Sequence, residues 1–486
     1  MAATNFANNA NYVDYSGTTV NPIVSPAHKK MALSGNYLDI QNNGWAQQYL
    51  PELYEKEVER YGDRTISGFL KLMSAELPLQ SDQVIWSEQG RLHLAYEGQV
   101  NPADGVIDNP KNIDTGLTGE KMMVRKGATV VCTVGADTFK ALVIKGIEDA
   151  TADYAAGNKI QIKPYGGANV ANIGSIGNTD NQVIKFFVYG SEFSKGTDGM
   201  KESIEPSFQT FINKPMILKD HFEINGSDTA QIGWVEVSGE SGQGGYLWYL
   251  KSSGDTRVRF EEYLEMSMVE AETAVSASTV GVEGSEGLFQ ALENRGIVVT
   301  GMFDDAADPT LASFDSLIKE LDKQGAIEEN MLYLNRDTNL GIDDMIAGLN
   351  PHVSGQINFG LFNNSEDMAL NLGFDGFRRA GYDFYKTGWK YLNDASTRGL
   401  VGGILGCLIP AGSTSVYDQS VGSAVRRPFL HVRYRAGAAD DRKLKSWVTG
   451  SVGGATSSSF DKMEVHYLSE RCLITQGANN FMLFKS

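Results

Sequence analysis

The spacing of apolar residues switches between two periods along this chain, and that succession constrains its fold more than any other feature. Leu53, Tyr54, Val58 and Tyr61 share one helical face until Gly62-Asp63 interrupts it. Ile66, Phe69, Leu70, Met73 and Leu77 then continue at helical spacing up to Pro78, which predicts a second helix ending there. Between residues 126 and 237 the period falls to two. TVVCTV, FKALVI, KIQIK and VIKFFVY are short β-branched and aromatic runs separated by Gly, Asn and Asp, and Ile160 and Ile162 alternate with Lys159, Gln161 and Lys163. This is the pattern of an elaborated hairpin or a small inserted β domain, with a loop at 166–182 that is flexible by composition. The helical period returns from Arg257 to Ser278, where Phe260, Tyr263, Leu264, Met268, Ala271 and Val275 form the stripe of what should be the longest helix, broken by Gly281, Gly284 and Gly287.

Further on, Asp308 and Pro309 are read as N-cap and first helical residue. Leu311, Phe314, Leu317, Ile318 and Leu321 form the buried stripe, and Gly325 stands at the C-cap. Strand MLYLN and a short helix at Asp343–Leu349 follow. At the end of the chain Leu430, Val432 and Tyr434 alternate with His431, Arg433 and Arg435, and Met463, Val465 and Tyr467 with Lys462, Glu464 and His466, as expected of half-buried strands. The fold class is α+β, and the absence of any fixed-period repeat argues against solenoids and propellers.

With 486 residues, 42% of them hydrophobic, the chain can build large cores without disulfides. Cys132, Cys407 and Cys472 form no C-x-x-C pair and read as reduced, small hydrophobic residues of a cytosolic product. The first residues show no basic region leading into an apolar run, so a start in the cytoplasm is expected. The most apolar stretch, Gly399–Gly412, is shorter than the ~18–20 residues of a spanning helix and contains Pro410, so it reads as a buried segment and no membrane partner is expected. Residues 1–48, rich in Asn, Gly, Ser and Thr with Phe6, Tyr12 and Tyr15 interspersed, read as an arm that orders against a neighbour. The formal net charge of −18 opposes attraction to nucleic acid, since phosphate binding needs clustered cations.

Catalytic constellations are not evident. The sequence lacks the phosphate loop, the nucleophile elbow and the zinc helix, and its six histidines are scattered. No catalytic residue, cofactor or metal is expected. Gly239–Gly245 reads as flexible surface turns, and the pairs Asp304-Asp305, Asp343-Asp344 and Asp440-Asp441 as caps or solvated turns. Positive charge gathers only at Arg426, Arg427, Arg433, Arg435, Arg442, Lys443 and Lys445, which is either a solvated strand face or a surface that meets acidic neighbours.

SEFSKGTDG (Ser191–Gly199), LDKQGAIEENMLYLNR (Leu321–Arg336) and LVGGILGCLIPAGSTSVYDQS (Leu400–Ser420) resemble major capsid proteins of tailed bacteriophages, especially the crAss-like phages. The resemblance implies a tailed-phage capsid fold. Its parts would be an N-terminal arm (1–48), peripheral-domain helices leading into the extended loop (49–125), and the loop with its inserted β domain (126–237). A peripheral domain with the spine helix (238–299), a central axial domain (300–425) and returning C-terminal strands (426–486) would follow. It also implies self-assembly into hexamers and pentamers, a portal protein, auxiliary or head-fibre proteins, enclosed double-stranded DNA held without specific binding, and a virion assembled in the host cytoplasm. Relatives that scaffold themselves carry a long charged helical N-terminal segment unlike residues 1–48, which leaves a separate scaffold open. Intersubunit contacts are expected at Phe6, Tyr12, Tyr15, Arg426, Arg427, Arg433 and Arg435. A nanocompartment shell, a tail or surface-layer protein, and a soluble hydrolase with an unrecognised carboxylate pair are the competing readings. The inserted β domain disfavours the first and the helices the second, while the third needs a pocket of pKa-shifted acids.

Overall fold

The structure, a computed structural model, describes residues 75–486 apart from 114–117, 120, 175, 202, 207, 230–231, 239–243, 275–280, 302–309, 326, 349–375, 412, 419–422 and 453–455. Of the described residues, 75–223 and 255–486 belong to one compact unit and those within 224–254 to another. The expected arm at 1–48 and the helix expected at Leu53–Tyr61 lie outside the described residues. Of the helix expected from Ile66 to Leu77, residues 66–74 lie outside the described residues, and its end instead forms a strand, β1 (Ala75–Leu79). The reason lies in its pairing: β1 is a sheet edge, joined in parallel to Leu430–Arg435 alone, and an edge tolerates the missing N–H of Pro78.

Strand β2 (Val84–Gln89) leads into a closed barrel. It is built of β3 (Ala95–Asn101), β4 (Val106–Asn112), β5 (Ala128–Val134), β6 (Asp137–Lys145), β7 (Ile160–Pro164) and β8 (Gln182–Ser191), in the spatial order β3-β4-β7-β6-β5-β8. Alternation does the sorting. In β8, Ile184 and Phe186 point inward while Val183, Lys185 and Phe187 point out, and the interior is completed by residues such as Val100, Ile107, Val130, Cys132 and Val143. The four β runs read from the sequence are β5 to β8. The first two barrel strands escape the pattern because Asn109 has φ 47° next to Pro110, and because Gly98 is needed where a Cβ would lie 2.8 Å from the Asp108 carbonyl oxygen. The loop at 166–182 is less free than its composition suggests, for it lends Val170 and Ile176 to the barrel core.

The chain leaves the barrel through β9 (Phe208–Asn213), which pairs antiparallel with β2 as a two-stranded ladder, and continues into β10 (Met216–Asn225). β11 (Ile232–Ser238) and β12 (Gly244–Leu247) form a hairpin, so Gly244 and Gly245 are strand residues rather than surface turn. Helix α1 (Trp248–Glu270) starts before the expected Arg257 and ends short of Ser278. Phe260, Leu264 and Met268 are buried as the stripe requires, but Tyr263 is 45% exposed.

Two sheets form the rest. α2 (Leu288–Arg295), β13 (Ile297–Thr300), α3 (Leu311–Gln324), β14 (Glu329–Leu334) and α4 (Arg336–Gly348) come first. β15 (Gly376–Arg379), β16 (Tyr382–Gly388), β17 (Ile404–Pro410) and the hairpin β18–β19 (Ser413–Asp418, Ser423–Pro428) follow, then β20 (Leu430–Arg435), β21 (Lys445–Gly450), β22 (Lys462–Thr475) and β23 (Met482–Lys485). The cap of α3 is Thr310, whose Oγ1 accepts the Ser313 N–H at 3.2 Å, while Asp308 and Pro309 lie outside the described residues. Gly325 closes that helix at φ 64°, as its position predicts. α4 starts at Arg336, earlier than the expected Asp343.

The six-stranded sheet runs β13-β23-β17-β14-β16-β15 and is covered on both faces. On one, Phe314, Leu317, Ile318 and Leu321 of α3 and Ile342 and Ile346 of α4 pack on Leu332, Leu334, Phe384, Leu408 and Phe484. On the other, Tyr333, Cys407, Ile409 and Leu483 meet Met268 of α1, Leu288 and Leu292 of α2, and Leu430, Val432 and Leu473. The last three belong to the second sheet, of order β1-β20-β22-β10 with β21 also on β22, so this one core joins both sheets. The apolar run 399–412 is divided: β17 is buried, but Leu400 and Val401 are 76% and 75% exposed in the single turn Arg398–Val401 before it.

Lys386 of β16 holds its Nζ 2.6 Å from Asp343 Oδ1 and 2.9 Å from Asn339 Oδ1 of α4, with only 3% and 7% of the ion-pair side chains exposed. Asp343 is therefore a structural counter-ion, not a solvated turn residue. Asp343→Ala should destabilise the chain by about 3–5 kcal/mol in urea unfolding, because it strands a buried ammonium. The double variant Asp343→Leu, Lys386→Met should recover most of that loss.

Candidate interaction surface

Alternation divides the β2–β9 ladder into two unlike faces. Trp86, Phe211 and Asn213 face the body of the protein. Ile85 and Ile212, directly opposite one another across the ladder, face solvent at 52% and 54% exposure, and Phe208 lies on the same face at 66%. A cross-strand isoleucine pair left in water is an unusual expense for a monomer and a normal feature of a contact surface.

The barrel continues that character. Outward residues of β8 and its surroundings include Phe187, Tyr189, Tyr165 and Phe193, all more than two-fifths exposed. Phe187 sits opposite Val131 of β5, Val131 opposite Lys140 of β6, and the Tyr165 N–H bonds the Lys140 carbonyl oxygen, so these residues form a band across neighbouring strands. Lys140 Nζ lies 5.9 Å from the Tyr189 ring centre. Partial desolvation of its hydroxyl and the hydrogen bond it donates to Glu192 push the pKa of the largely exposed Tyr165 up to about 12.

The basic cluster is largely answered by carboxylates of the same chain. Arg435 pairs with Asp82 and lies 3.7 Å from Glu470, Arg442 pairs with Glu470, and Lys443 pairs with Glu76. Lys445 Nζ is 2.8 Å from Asp440, so that carboxylate too is a partner in an ion pair. Arg433 donates to the Pro78 carbonyl at 3.1 Å. The Arg435 guanidinium beside Asp82 holds that carboxyl below the usual range, and Lys445 does the same for Asp440. Hidden from the sequence pattern was the other half of this network. Glu470 and Arg471 sit in the middle of β22 at only 7% and 8% exposure, and Arg471 reaches Glu76 at 3.4 Å. Arg426 and Arg427 lie on β19, and Phe6, Tyr12 and Tyr15 lie outside the described residues.

His431, expected on a wet strand face, is buried with its Nδ1 3.1 Å from the Pro428 carbonyl oxygen, because β20 is covered on both sides at that end. His466 stacks between Trp447 and His221, at centroid distances of 5.2 and 6.3 Å. Among the described residues no three His, Cys, Asp or Glu side chains converge on a point that could hold a metal ion, and no helix is long and apolar enough to cross a membrane.

No family model matches the chain, and no curated protein matches it. Solved structures do show similarity. The capsid of the native GTA particle is 9% identical with a TM-score of 0.41, over 93% of this chain and 99% of that one. The mature capsid of bacteriophage PhiM1 is 7% identical with a TM-score of 0.39, over 90% and 92%. A chain of Microbacterium phage Oxtober96 is 7% identical with a TM-score of 0.36, over 89% and 95%. Likenesses at this level identify no family.

Cys132, Cys407 and Cys472 are free and buried, and burial pushes the thiols of Cys132 and Cys472 up to about 12 and raises Cys407 as well. A thiol-specific reagent at neutral pH should therefore label none of the three in the folded chain and all three in denaturant, since the thiolate is the reactive form. Rapid labelling of the native protein would show that one of these strands opens.

Proposed function

We propose that the chain is a shell-forming structural protein, the major capsid protein of a tailed phage of the crAss-like group, which assembles into hexamers and pentamers around double-stranded DNA and catalyses no reaction. The observation that carries this reading is the exposure of large apolar residues on both the ladder, at Ile85, Ile212 and Phe208, and the barrel, at Phe187 and Tyr189. Charge supports it. Residues 95–191 hold nine Lys and Arg against ten Asp and Glu, so the barrel is almost neutral in a chain of net charge −18. Copies whose net charges repel one another meet little resistance there. The words at Ser191–Gly199, Leu321–Arg336 and Leu400–Ser420 supply the family resemblance.

In this reading the ladder is the extended loop and the barrel its inserted domain, α1 is the spine helix of the peripheral domain, and the six-stranded sheet with α3 and α4 is the central axial domain. Residues 1–48 form the arm, with Phe6, Tyr12 and Tyr15 buried against neighbours, and Arg426 and Arg427 meet acidic surfaces of adjacent subunits, alongside Arg433 and Arg435, which are already engaged within the chain. A portal protein, auxiliary or head-fibre proteins and a separate scaffold complete the virion, which is assembled in the bacterial cytoplasm. Contacts repeated around a ring close into capsomers, and many weak ones make a stable shell.

Ile85→Glu together with Ile212→Glu tests the reading. Both positions are half exposed, so the subunit should keep its melting temperature within the small range of surface substitutions. Negative-stain microscopy should show closed icosahedral shells from the wild type and dispersed subunits from the variant. Shells of normal yield from the variant would remove the ladder face from the assembly contacts, and tubes or monomers from the wild type would overturn the shell itself.

The charge makes a second prediction. Soluble subunits titrated against duplex DNA from ~50 to ~200 mM salt should bind weakly throughout, because few clustered cations are available to release counterions. Tight binding at low salt that disappears in Arg426→Ala, Arg427→Ala would show that the shell wall grips its contents.

A further inference from the structure

The ladder that carries the barrel rests on the body of the protein through a small apolar contact. Trp86 is buried with Cys472 and Ile474 of β22, while Leu79, Val84 and Phe211 are only partly buried around them. What distinguishes this seat is the polar hardware around it. Arg295, the last residue of α2, lies with its guanidinium carbon 4.6 Å from the Phe211 ring centre and 5.5 Å from that of Trp86, so it stacks against both strands of the ladder at once. The same guanidinium donates to Glu286 Oε2 at 2.7 Å and to the Thr475 carbonyl at 3.2 Å, and lies 3.7 Å from Glu88 Oε1. Glu88, in β2, accepts from the Trp86 indole N–H at 3.0 Å and from the Gly477 backbone N–H at 2.9 Å.

The opposite strand is pinned by Asn213, which is 4% exposed. Its amide donates to the carbonyls of Glu286 at 2.9 Å and Leu473 at 2.6 Å, and its Oδ1 accepts from the Glu286 N–H at 2.9 Å and the Ser285 hydroxyl at 3.1 Å. Both strands are thus tied to one short segment, Ser285–Glu286, and to the end of β22. Each tie is directional, unlike the apolar contact beneath it, and together they fix an angle rather than merely a proximity.

We propose that Arg295 and Asn213 form a clamp that sets the direction of the barrel-bearing ladder relative to the two sheets. Arg295 is a positioning residue. Its effect on assembly rests on the shell reading above, but its effect on the ladder does not.

The test is hydrogen exchange on the full-length soluble chain. In Arg295→Met the amides of β2 and β9 should exchange at least about tenfold faster, the factor expected when a stacked, ion-paired guanidinium is lost, while those of β5, β6, β14 and β17 keep their wild-type rates. Arg295→Lys keeps the charge but loses the planar stack and the fork, and should fall between the two. Should Arg295→Met fail to fold, Glu88→Gln supplies the same reading from the ladder's side, with the same selective acceleration expected. Unchanged exchange in β2 and β9, or acceleration equal in all strands, overturns the clamp. Microscopy of Arg295→Met then reads the consequence, with shells absent or irregular where wild type closes uniformly. Uniform shells of wild-type size would overturn the claim that the angle matters to assembly. Failure of the wild type itself to form shells would sink the shell reading and leave the exchange result standing.

Discussion

Strand β22 is the member on which the other parts depend. Nine consecutive residues, Tyr467–Thr475, are buried, so neither face of the strand is free. Leu473 enters the core shared by the two sheets, Cys472 and Ile474 seat the ladder, and Tyr467 lies 5.9 Å from Phe260 of α1, centre to centre. Its backbone also holds the ends of β9 and α2, with the Leu473 and Thr475 carbonyls accepting from Asn213 and Arg295. A strand covered on both faces cannot slip by one residue without moving every side chain into the wrong environment, which fixes the register of its neighbours.

That same strand shows why part of the fold was hard to read. Its first half, Met463 to Tyr467, alternates and is legible as a half-buried strand. Its second half contains Ser469, Glu470 and Arg471, residues that normally mark solvent, and their burial depends on partners such as Glu76, Arg442, Arg435 and the Lys443 carbonyl. These partners are remote in sequence, so no local pattern could announce them. β1 failed for a related reason, since a helical spacing ending at Leu77 and Pro78 says nothing about the parallel partner that turns the segment into an edge strand.

Legibility was best where a single face decides. The stripe of α3 with Gly325 at its end, the four β runs that became β5 to β8, and strand β14 follow from periodicity alone. α1 was located but shifted, because Lys251, Ser252, Ser253 and Gly254 at its start carry no apolar stripe to mark it. The interaction surface was only half visible. The sequence drew attention to charge at Arg433, Arg435 and Arg442, of which Arg435 and Arg442 are engaged with carboxylates of the same chain and Arg433 with the Pro78 carbonyl, whereas the isoleucine pair of the ladder becomes a pair only when strands more than a hundred residues apart are laid side by side.

The chain enters the barrel at β3 and leaves it at β8, and these two strands are hydrogen-bonded neighbours, with Ala95 opposite Phe187. A closed barrel with adjoining ends has no open edge to protect and closes its hydrogen-bond ladders within itself. It is joined to the rest of the molecule as a lamp is to its socket, by two adjacent wires. Such a module can lengthen its loops, change its outer face or be exchanged for another without asking the two sheets to refold.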